Sequence, residues 1–475
     1  MADAWVMEET RAVDLKDART NARLREVLTQ LGQRPTASIP AACGGHAEMT
    51  AAYRLFDNEK VSFERILAPH TGSTRERIAA HRTVLLVQDT TEIDLTRPAQ
   101  PVQGAGPLDG GTRKGLLLHP LHAFTPDGTP LGTVHATQWV REPGPTSAGL
   151  SRAQRAAIPI EEKESHRWLQ TLRIAEQEAQ YCPLTHLIAV CDSEADIYEV
   201  LAAQPRIDWI VRSCQDRALM PEADTEPART LHEHLLAQPV LYSHTINVRG
   251  RKAKIACETR GRRQPRRSRQ AQVEVRSASF TLRPPRRTDR KLAQVTVNAV
   301  LVTEVDAPAD DEPVEWLLLT SLPVADADQA RAVVQFYCVR WMIEILFRIL
   351  KSGCRVEKRR FEHIDRLLAC LAVYLIIAWR TLYVCRLARA CPQIDCEAIF
   401  EPAEWKAAWK IVRHTDPPHH PPSLDDFTLM VAQLGGYVIR KNSPPGPQTI
   451  WIGLQRTYDF ALCWKTFGPE SGHVS

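Results

Sequence analysis

The sequence predicts an α/β protein in which a mixed-sheet core is interrupted by an antiparallel β insertion and flanked by helical regions at both ends. Three observations predict this fold class. From Thr83 onward, buried strand patterns alternate with helical patterns, as in a layered α/β domain. Residues 220–310 contain alternating apolar and polar segments broken by Arg, Gly and Pro, which is typical of antiparallel strands. Residues 14–70 and most of residues 377–475 have helical spacing instead.

The chain of 475 residues is too long for one ordinary hydrophobic core, and its length indicates roughly three domains. The changes of pattern along the chain predict where the boundaries lie. The predicted units are a helical unit over 1–70, a first part of the core over 71–219, a basic β-rich insertion over 220–311, a second part of the core over 312–376 and a helical C-terminal domain over 377–475.

Composition predicts a folded, soluble, intracellular protein. Hydrophobic residues make up 44% and charged residues 24% of the chain, which is not the balance of a disordered protein. The longest uncharged apolar run, Leu367–Trp379, is shorter than the ~20 residues of a membrane-spanning helix. The acidic N-terminus is unlike a signal peptide, so a cytoplasmic location is expected. The 12 cysteines include no C-x-x-C pair, which predicts free thiols and no structural zinc.

The charge of the chain is unevenly distributed. The formal net charge is only +4. The segment Arg249–Lys291 holds 16 Lys and Arg against three acidic residues, so it carries +13 while the rest of the chain carries −9. A basic block in an acidic chain favours a polyanionic partner, and for nucleic acid the affinity would depend on salt.

The N-terminal unit is predicted to contain three helices. Leu24, Val27 and Leu28 have helical spacing, and further helices are predicted near Glu48–Phe56 and after Val61. Short helices with arginines on exposed faces are found in helix-based DNA readers, but also in helical caps of other domains. The pattern alone leaves both interpretations open.

Two strands of the predicted core end in an acidic residue. Asp89 directly follows the apolar strand LLVQ, and Asp192 directly follows HLIAVC. Ligands of open α/β sheets bind beyond the carboxyl ends of the strands, where two carboxylates can hold divalent cations. Asp after a strand is also an ordinary turn residue, and Glu194 and Asp196 are further candidates. Asp192 is preferred because it alone ends the strand directly.

Between those strands, a hairpin around residues 126–130 and a helix over about 163–181 are predicted. The hairpin carries His119, His122 and His135, which could form a metal cluster. Packing within the sheet is the favoured interpretation, because the three side chains occupy strand positions.

One long helix, from about Asp326 to Ser352, is predicted to carry a polar face. At about 100° per residue, its aromatic and charged residues lie on one side and its aliphatic residues on the other. The polar side holds one acid among three cations and a phenol, which suits a metal- and phosphate-binding site. An ordinary solvated face is an equal alternative from this helix alone. These polar residues are Tyr337, Arg340, Glu344, Arg348 and Lys351.

Two aspartates at strand ends and one glutamate on a helix are the ligands that two-metal phosphoryl transfer needs. In that chemistry two ions ~3.5–4 Å apart activate the nucleophile and stabilise the leaving oxygen. Basic side chains around them hold phosphate groups.

The motifs around these residues resemble those of bacterial cut-and-paste DDE transposases of the insertion-sequence-four family. LLVQDTT and LIAVCDSEAD resemble the two aspartate motifs, and Tyr337-x2-Arg340-x3-Glu344-x6-Lys351 reproduces the Y-R-E-K signature with every spacing intact. The likeness extends to NARL, AAYRLF, EWLLLTS and LGGY, and it covers nearly the whole chain.

The resemblance implies an RNase H-like core in which Asp89, Asp192 and Glu344 bind two Mg²⁺ ions, with Mn²⁺ as a substitute. It implies nicking, hairpin formation and opening, and strand transfer at the inverted ends of a DNA element. It also implies a homodimer that forms through the C-terminal domain and associates with the nucleoid when bound to DNA. The residues that it implies in DNA binding are Tyr337, Arg340, Lys351, Arg348, Arg212, Trp316, Trp341, Arg23 and Arg54.

Within this set, Trp316 would stack on a base flipped out of the hairpin, although a core position is an open alternative. Trp341 is likewise divided between core packing and DNA contact.

Two other functions stay open. One is an RNase H-like endonuclease or resolvase without strand transfer, and the other is a non-catalytic DNA-binding regulator.

Overall fold

A computed structural model shows one large mixed sheet with helices packed on both faces. It describes residues 3–97, 100–109, 111–142, 151, 154, 157–220, 230–248, 250, 266–287, 291–309, 311–439 and 444–469. The eleven cysteines in these ranges are all free thiols, as the sequence predicts.

The N-terminal unit is helical as predicted. Its described residues form five helices, of which four begin in the segment 14–70 where three were predicted. The Asp17 side chain begins the second helix by accepting backbone N–H groups of Arg19 and Thr20 at 2.7 and 3.3 Å. The helices are α1 (Ala4–Glu9), α2 (Ala18–Gln33), α3 (Ile39–Cys43), α4 (His46–Phe56) and α5 (Phe63–Ala79). The predicted boundary at residue 70 falls inside α5, because that helix continues along the core and packs against the sheet.

Eleven strands of the described chain form a single sheet. Its main path has the order β2-β4-β1-β6-β7-β11-β10-β9-β8, and β3 and β5 pair with β4. The strands are β1 (Thr83–Gln88), β2 (Thr91–Asp94), β3 (Gly106–Pro107), β4 (Lys114–Phe124), β5 (Pro130–Trp139), β6 (His186–Cys191), β7 (Asp208–Arg212), β8 (Tyr242–Val248), β9 (Arg269–Leu282), β10 (Val295–Val305) and β11 (Glu315–Thr320).

The middle of the sheet brings two predicted site residues together. Strands β1 and β6 are parallel, and Gln88 lies opposite Cys191. Asp89 and Asp192 directly follow these two strands, and they therefore lie next to each other. The predicted hairpin is confirmed as β4 and β5, and the helix after it is α6 (His166–Tyr181).

The β insertion does not form a sheet of its own. Strands β8, β9 and β10 are antiparallel as predicted, but β10 pairs with β11, and β11 pairs with β7 of the core. The insertion therefore extends the core sheet, because β11 pairs with β7 along one edge and with β10 along the other. Much of the basic block lies outside the described residues, namely 249, 251–265 and 288–290. Between β6 and β8 lie the short helices α7 (Tyr198–Leu201) and α8 (Leu231–Leu236).

The prediction of a single helix over 326–352 is wrong in one respect, because the helix is interrupted. Helix α9 (Ala327–Val339) ends at Arg340, α10 (Trp341–Arg348) follows at once, and Ile349–Gly353 continues as a π-helical turn. Arg340 is buried, with its guanidinium held by acids of the core. The uniform 100° rotation assumed from the sequence therefore does not hold across Arg340 or beyond Arg348.

The C-terminal region is helical, as predicted. Its helices are α11 (Ile364–Ala390), α12 (Pro402–Arg413), α13 (Leu424–Leu434) and α14 (Pro447–Phe467). The apolar run Leu367–Trp379 lies in α11, whose 27 residues are long and apolar enough to cross a membrane by length and composition. The helix is longer than the sequence run indicated, but 83% of its most apolar window is buried inside the protein. It therefore serves as a core helix here.

The hairpin histidines pack as the sequence favours. His119 is buried between Thr90 and Gln88, and His122 is fully buried with its Nδ1 atom 2.9 Å from the Thr133 hydroxyl. Burial lowers the pKa of His122 well below its ordinary value, and His70 and Arg77 lower it further.

Because His122 is buried and neutral, we expect the protein to lose stability in acid. The folded protein keeps His122 neutral, whereas the unfolded chain binds a proton below pH ~6.5, so stability falls as pH falls through that value. Between pH 7.5 and 5.5, wild type should lose about 1.4 kcal/mol more unfolding free energy than His122→Asn, in urea titrations at both pH values. The control His81→Asn, at an exposed position, should lose as much as wild type. An equal loss in His122→Asn and wild type would contradict the assignment.

Candidate active site

Three predicted carboxylates converge on one guanidinium at the carboxyl ends of the central strands. Nη1 of Arg340 donates to Asp89 Oδ2 at 2.9 Å and lies 3.4 Å from Asp192 Oδ2. Nη2 of Arg340 donates to Glu344 Oε1 at 2.7 Å. Residues from two strands and one helix therefore meet within contact distance of a single cation.

Secondary structure holds each carboxylate in place. Asp89 directly follows β1, and its Oδ1 accepts the backbone N–H of Thr90 at 2.7 Å. Asp192 directly follows β6, and the Ser193 hydroxyl donates to its Oδ1 at 2.6 Å. Glu344 lies in the first turn of α10, one helical turn after Arg340. The break between α9 and α10 lies at Arg340 itself, beside the strand ends.

Burial controls the electrostatics of the cluster. It raises the pKa of Asp89 to about 7, and the negative charges of Asp192 and Glu344 add to the rise while Arg340 opposes it. Burial also acts to lower the pKa of Arg340, but Tyr337, Asp89 and Asp192 raise it more, so that its pKa lies above the ordinary value. Arg340 is therefore a permanent cation among acids that repel one another.

The structure separates the three acids of DSEAD. Asp196 is buried, and its side chain accepts bonds from the Ser213 hydroxyl and from the backbone N–H groups of Cys214 and Gln215, besides pairing with Arg217. These bonds occupy Asp196 in holding the chain after β7. Glu194 pairs with a different arginine, and only Asp192 faces Arg340.

Arg167 is a residue of this site that the sequence analysis missed. It lies on α6, donates to the Thr90 hydroxyl at 2.9 Å and pairs with Glu194 at 2.6 Å. Thr90 adjoins Asp89, so Arg167 places a second cation close to the carboxylates. The amphipathic pattern of α6 contained no signal for this role, because the contact joins residues 77 positions apart.

The aromatic residues of the predicted site are divided between core and surface. Tyr337 is buried, 6.2 Å from the half-buried Trp316 ring and 5.9 Å from the Arg340 guanidinium carbon. Burial raises the pKa of Tyr337, while Arg340 and Arg212 oppose the rise. Trp316 packs against the main core with one side, and Trp341 is 47% exposed. Trp341 therefore lies on the surface, in the same first turn of α10 as Glu344, which was left open from the sequence.

The remaining predicted residues lie around the cluster. Arg348 is exposed one turn beyond Glu344, and Arg212 ends β7. Lys351 lies in the π-helical turn, and burial lowers its pKa. The charged groups that affect this pKa most are Glu357, Glu92 and Arg113, and not the three carboxylates of the cluster. In the N-terminal unit, Arg54 is exposed and Arg23 pairs with Glu26 at 2.7 Å.

The donor atoms of the cluster suit a hard divalent cation. Mg²⁺ prefers carboxylate oxygens, and Asp89, Asp192 and Glu344 supply them from rigid elements. As placed, no three acidic, His or Cys side chains of the described residues surround a common metal position, because the Arg340 guanidinium lies between the carboxylates. A metal ion at this position would replace the contacts that Arg340 makes.

Comparisons with known families match three consecutive parts of the chain. Residues 2–61 match the transposase DNA-binding family, 149–379 match the transposase DDE domain, and 376–464 match the Tn5 transposase dimerisation domain. The matched ranges include Asp192 and Glu344, whereas Asp89 precedes the DDE match. Among solved structures, a piggyBac transposase synaptic complex with hairpin DNA is 9% identical, with a TM-score of 0.33 over 81% of this chain and 72% of that chain. A likeness this distant carries no argument.

Proposed function

We propose that this protein performs cut-and-paste transposition of a DNA element. The proposal is supported by its matches to the transposase DNA-binding family, the transposase DDE domain and the Tn5 transposase dimerisation domain. The reactions would be nicking at the inverted ends, hairpin formation and opening, and strand transfer into target DNA. Assignment to the insertion-sequence-four family is part of this proposal and rests on the Y-R-E-K spacing.

One observation carries the proposal. Asp89, Asp192 and Glu344 come from β1, β6 and α10, yet their carboxylates meet around one guanidinium. Such a concentration of negative charge costs stability unless cations neutralise it. The strand order around the site, with β4 antiparallel and β6 parallel to β1, is consistent with the expected RNase H-like core.

Two Mg²⁺ ions held by Asp89, Asp192 and Glu344 would activate the attacking water or 3′-hydroxyl and stabilise the leaving oxygen. The chain's own residues would hold the DNA. Arg340, once released from the carboxylates, would bind a phosphate at the reacting centre, and the exposed Arg348 would add a second cation further along the chain. Trp341 offers an exposed ring close by for contact with a base.

The other assignments extend the proposal over the molecule. Tyr337, Lys351 and Arg212 would bind phosphates, and Trp316 would stack on a flipped base through the part of its ring that the core leaves exposed. Arg23 and Arg54 would contact the element end, and residues 377–475 would form the homodimer, at the boundaries predicted from the sequence. The protein would act in the cytoplasm on nucleoid DNA.

The experiment uses DNA from the gene's own flanks that carries its inverted ends. Wild type and Glu344→Ala are incubated with this DNA and Mg²⁺, and the products are resolved on native and denaturing gels. We expect hairpin-ended fragments and joined products from wild type, and neither from Glu344→Ala. Cutting without joining would indicate the endonuclease or resolvase. Binding without Mg²⁺-dependent cutting would indicate the non-catalytic regulator.

A further inference from the structure

A basic pocket lies where the catalytic helix, the N-terminal unit and the C-terminal domain meet. Its volume is about 430 Å³. The N-terminal unit contributes Thr36 and helix α14 contributes Arg456, while the chain after Glu344 contributes Arg348, Ser352 and Arg355. Of this group, only Arg348 is a site residue predicted from the sequence.

The charge of the pocket favours an anion. Three arginines line it and none of its lining residues is acidic. Among the described residues, none of these arginines forms an ion pair, whereas nearby Arg34 is paired with Asp459 at 3.3 Å. Guanidinium groups match the oxygens of a phosphate in a bidentate arrangement, and the hydroxyl of Ser352 adds a hydrogen-bonding group. The Thr36 hydroxyl donates to Gln455, and Arg456 donates from one Nη atom to the Leu434 carbonyl, which leaves its other N–H groups for an anion.

The backbone around the pocket is unusual for its sequence. Arg355 has φ 51° and ψ 40°, a left-handed conformation that costs a residue with a side chain roughly 1 kcal/mol or more. The π-helical turn Ile349–Gly353 precedes it, and turns of this type are frequent at functional sites. Together they place Ser352 and Arg355 in the same pocket as Arg348.

The position of the pocket relates it to the carboxylates. Arg348 follows Glu344 by four residues on α10, which is ~6 Å along a helix axis. Successive nucleotides of one DNA strand rise by ~3.4 Å, so the pocket is within about two nucleotides of a strand held at the carboxylates. Its volume lies in the range of roughly 300–1,000 Å³ that takes small ligands, enough for a phosphate with its sugar.

We propose that this pocket binds a backbone phosphate of the DNA strand whose reacting phosphate lies at the carboxylates, an inference that rests on the proposed function. Contacts from Arg355 and Arg456 then join the catalytic core and the dimerisation domain through one phosphate. The end-binding unit is tied to the same pocket by Thr36, whose hydroxyl donates to Gln455 of α14. Binding of the DNA end thereby fixes the position of all three domains.

The test counts phosphate contacts from the salt dependence of duplex binding. The full-length protein is titrated without Mg²⁺ against a labelled duplex of the element end at several NaCl concentrations. The variants are Arg355→Gln, Arg456→Gln and Arg456→Lys, and the matched control is Arg173→Gln at an exposed position on α6. Thermal melting checks that each variant is folded.

We expect the slope of log K against log[NaCl] to fall in magnitude by about 0.9 in Arg355→Gln and by about 0.9 in Arg456→Gln. Arg456→Lys and Arg173→Gln should keep the wild-type slope, because the first retains the charge and the second lies outside the pocket. Slopes in Arg355→Gln and Arg456→Gln equal to that of Arg173→Gln would overturn the proposal.

A second arm distinguishes a DNA phosphate from free phosphate. Inorganic phosphate that raises the melting temperature of wild type but not of Arg355→Gln, with unchanged DNA slopes, would assign the pocket to free phosphate and overturn the DNA role. Failure of the proposed function can be distinguished from failure of the pocket proposal. If wild type does not cut DNA while the slopes fall as expected, transposition is wrong and the pocket stands. If it cuts and the slopes are unchanged, only the pocket is wrong.

Discussion

Under the proposed function, Asp192→Asn is expected to reduce Mg²⁺-dependent cleavage of the element ends by on the order of 10³-fold, because one of the three proposed charged oxygen ligands would be lost at the reacting centre. Glu194→Gln, two residues away, should retain activity within about tenfold of wild type. The two acids differ in their partners. Asp192 lies 3.4 Å from the guanidinium that the other carboxylates contact, whereas Glu194 pairs with Arg167 at 2.6 Å. Cleavage of a supercoiled plasmid carrying both ends measures the difference.

Duplex binding by each variant provides the control. Both proteins should bind the end DNA as wild type does in the absence of Mg²⁺, since neither loses a basic residue. Asp196→Asn should lose folding stability instead, because its buried carboxylate pairs with Arg217 and accepts bonds from the chain after β7. Full cleavage by Asp192→Asn together with inactivity of Glu194→Gln would assign the metal ligand to Glu194.

Arg340→Gln is expected to lower the free energy of unfolding by about 3 kcal/mol when no divalent cation is present. The substitution leaves three carboxylates together without their cation, and the side chains of Asp89, Asp192 and Glu344 are only 15%, 27% and 35% exposed. Urea unfolding followed by tryptophan fluorescence measures the loss. Arg348→Gln, at an exposed position one turn beyond Glu344, should change stability by less than about 0.5 kcal/mol.

Addition of Mg²⁺ supplies the second measurement on this variant. A cation that binds the carboxylates of the folded state stabilises that state by mass action. Because wild type already neutralises the cluster with Arg340, millimolar Mg²⁺ should stabilise Arg340→Gln more than wild type. Arg340→Lys should lie between the two without Mg²⁺, since lysine keeps the charge but not the planar pair of donors. Equal stabilisation of variant and wild type by Mg²⁺ would contradict the role of the cluster as a metal site.

The sequence predicted the candidate site well where local pattern and position coincide. Asp89 and Asp192 follow apolar runs, so the strand pattern was enough to place each of them at the end of a buried strand. The parallel pairing of β1 and β6, which brings them together, came from the structure. The spacing of Tyr337, Arg340, Glu344 and Lys351 was readable without any structure. Its interpretation as one uniform helix face was wrong in part, because the helical hydrogen-bond pattern changes at Arg340 and again in the π-helical turn after Arg348, and a helical wheel assumes one rotation throughout.

The sequence by itself determined the α/β class, the strand-end acids, the antiparallel insertion and the helical ends of this protein, since each depends on the periodicity of neighbouring residues. Only the tertiary structure decided that the insertion continues the core sheet, that Asp196 is a structural residue and that Arg167 joins the site. It also decided that Arg340 contacts Asp89, 251 positions earlier in the chain. Such contacts depend on strand order and packing across the whole domain, which no local pattern records.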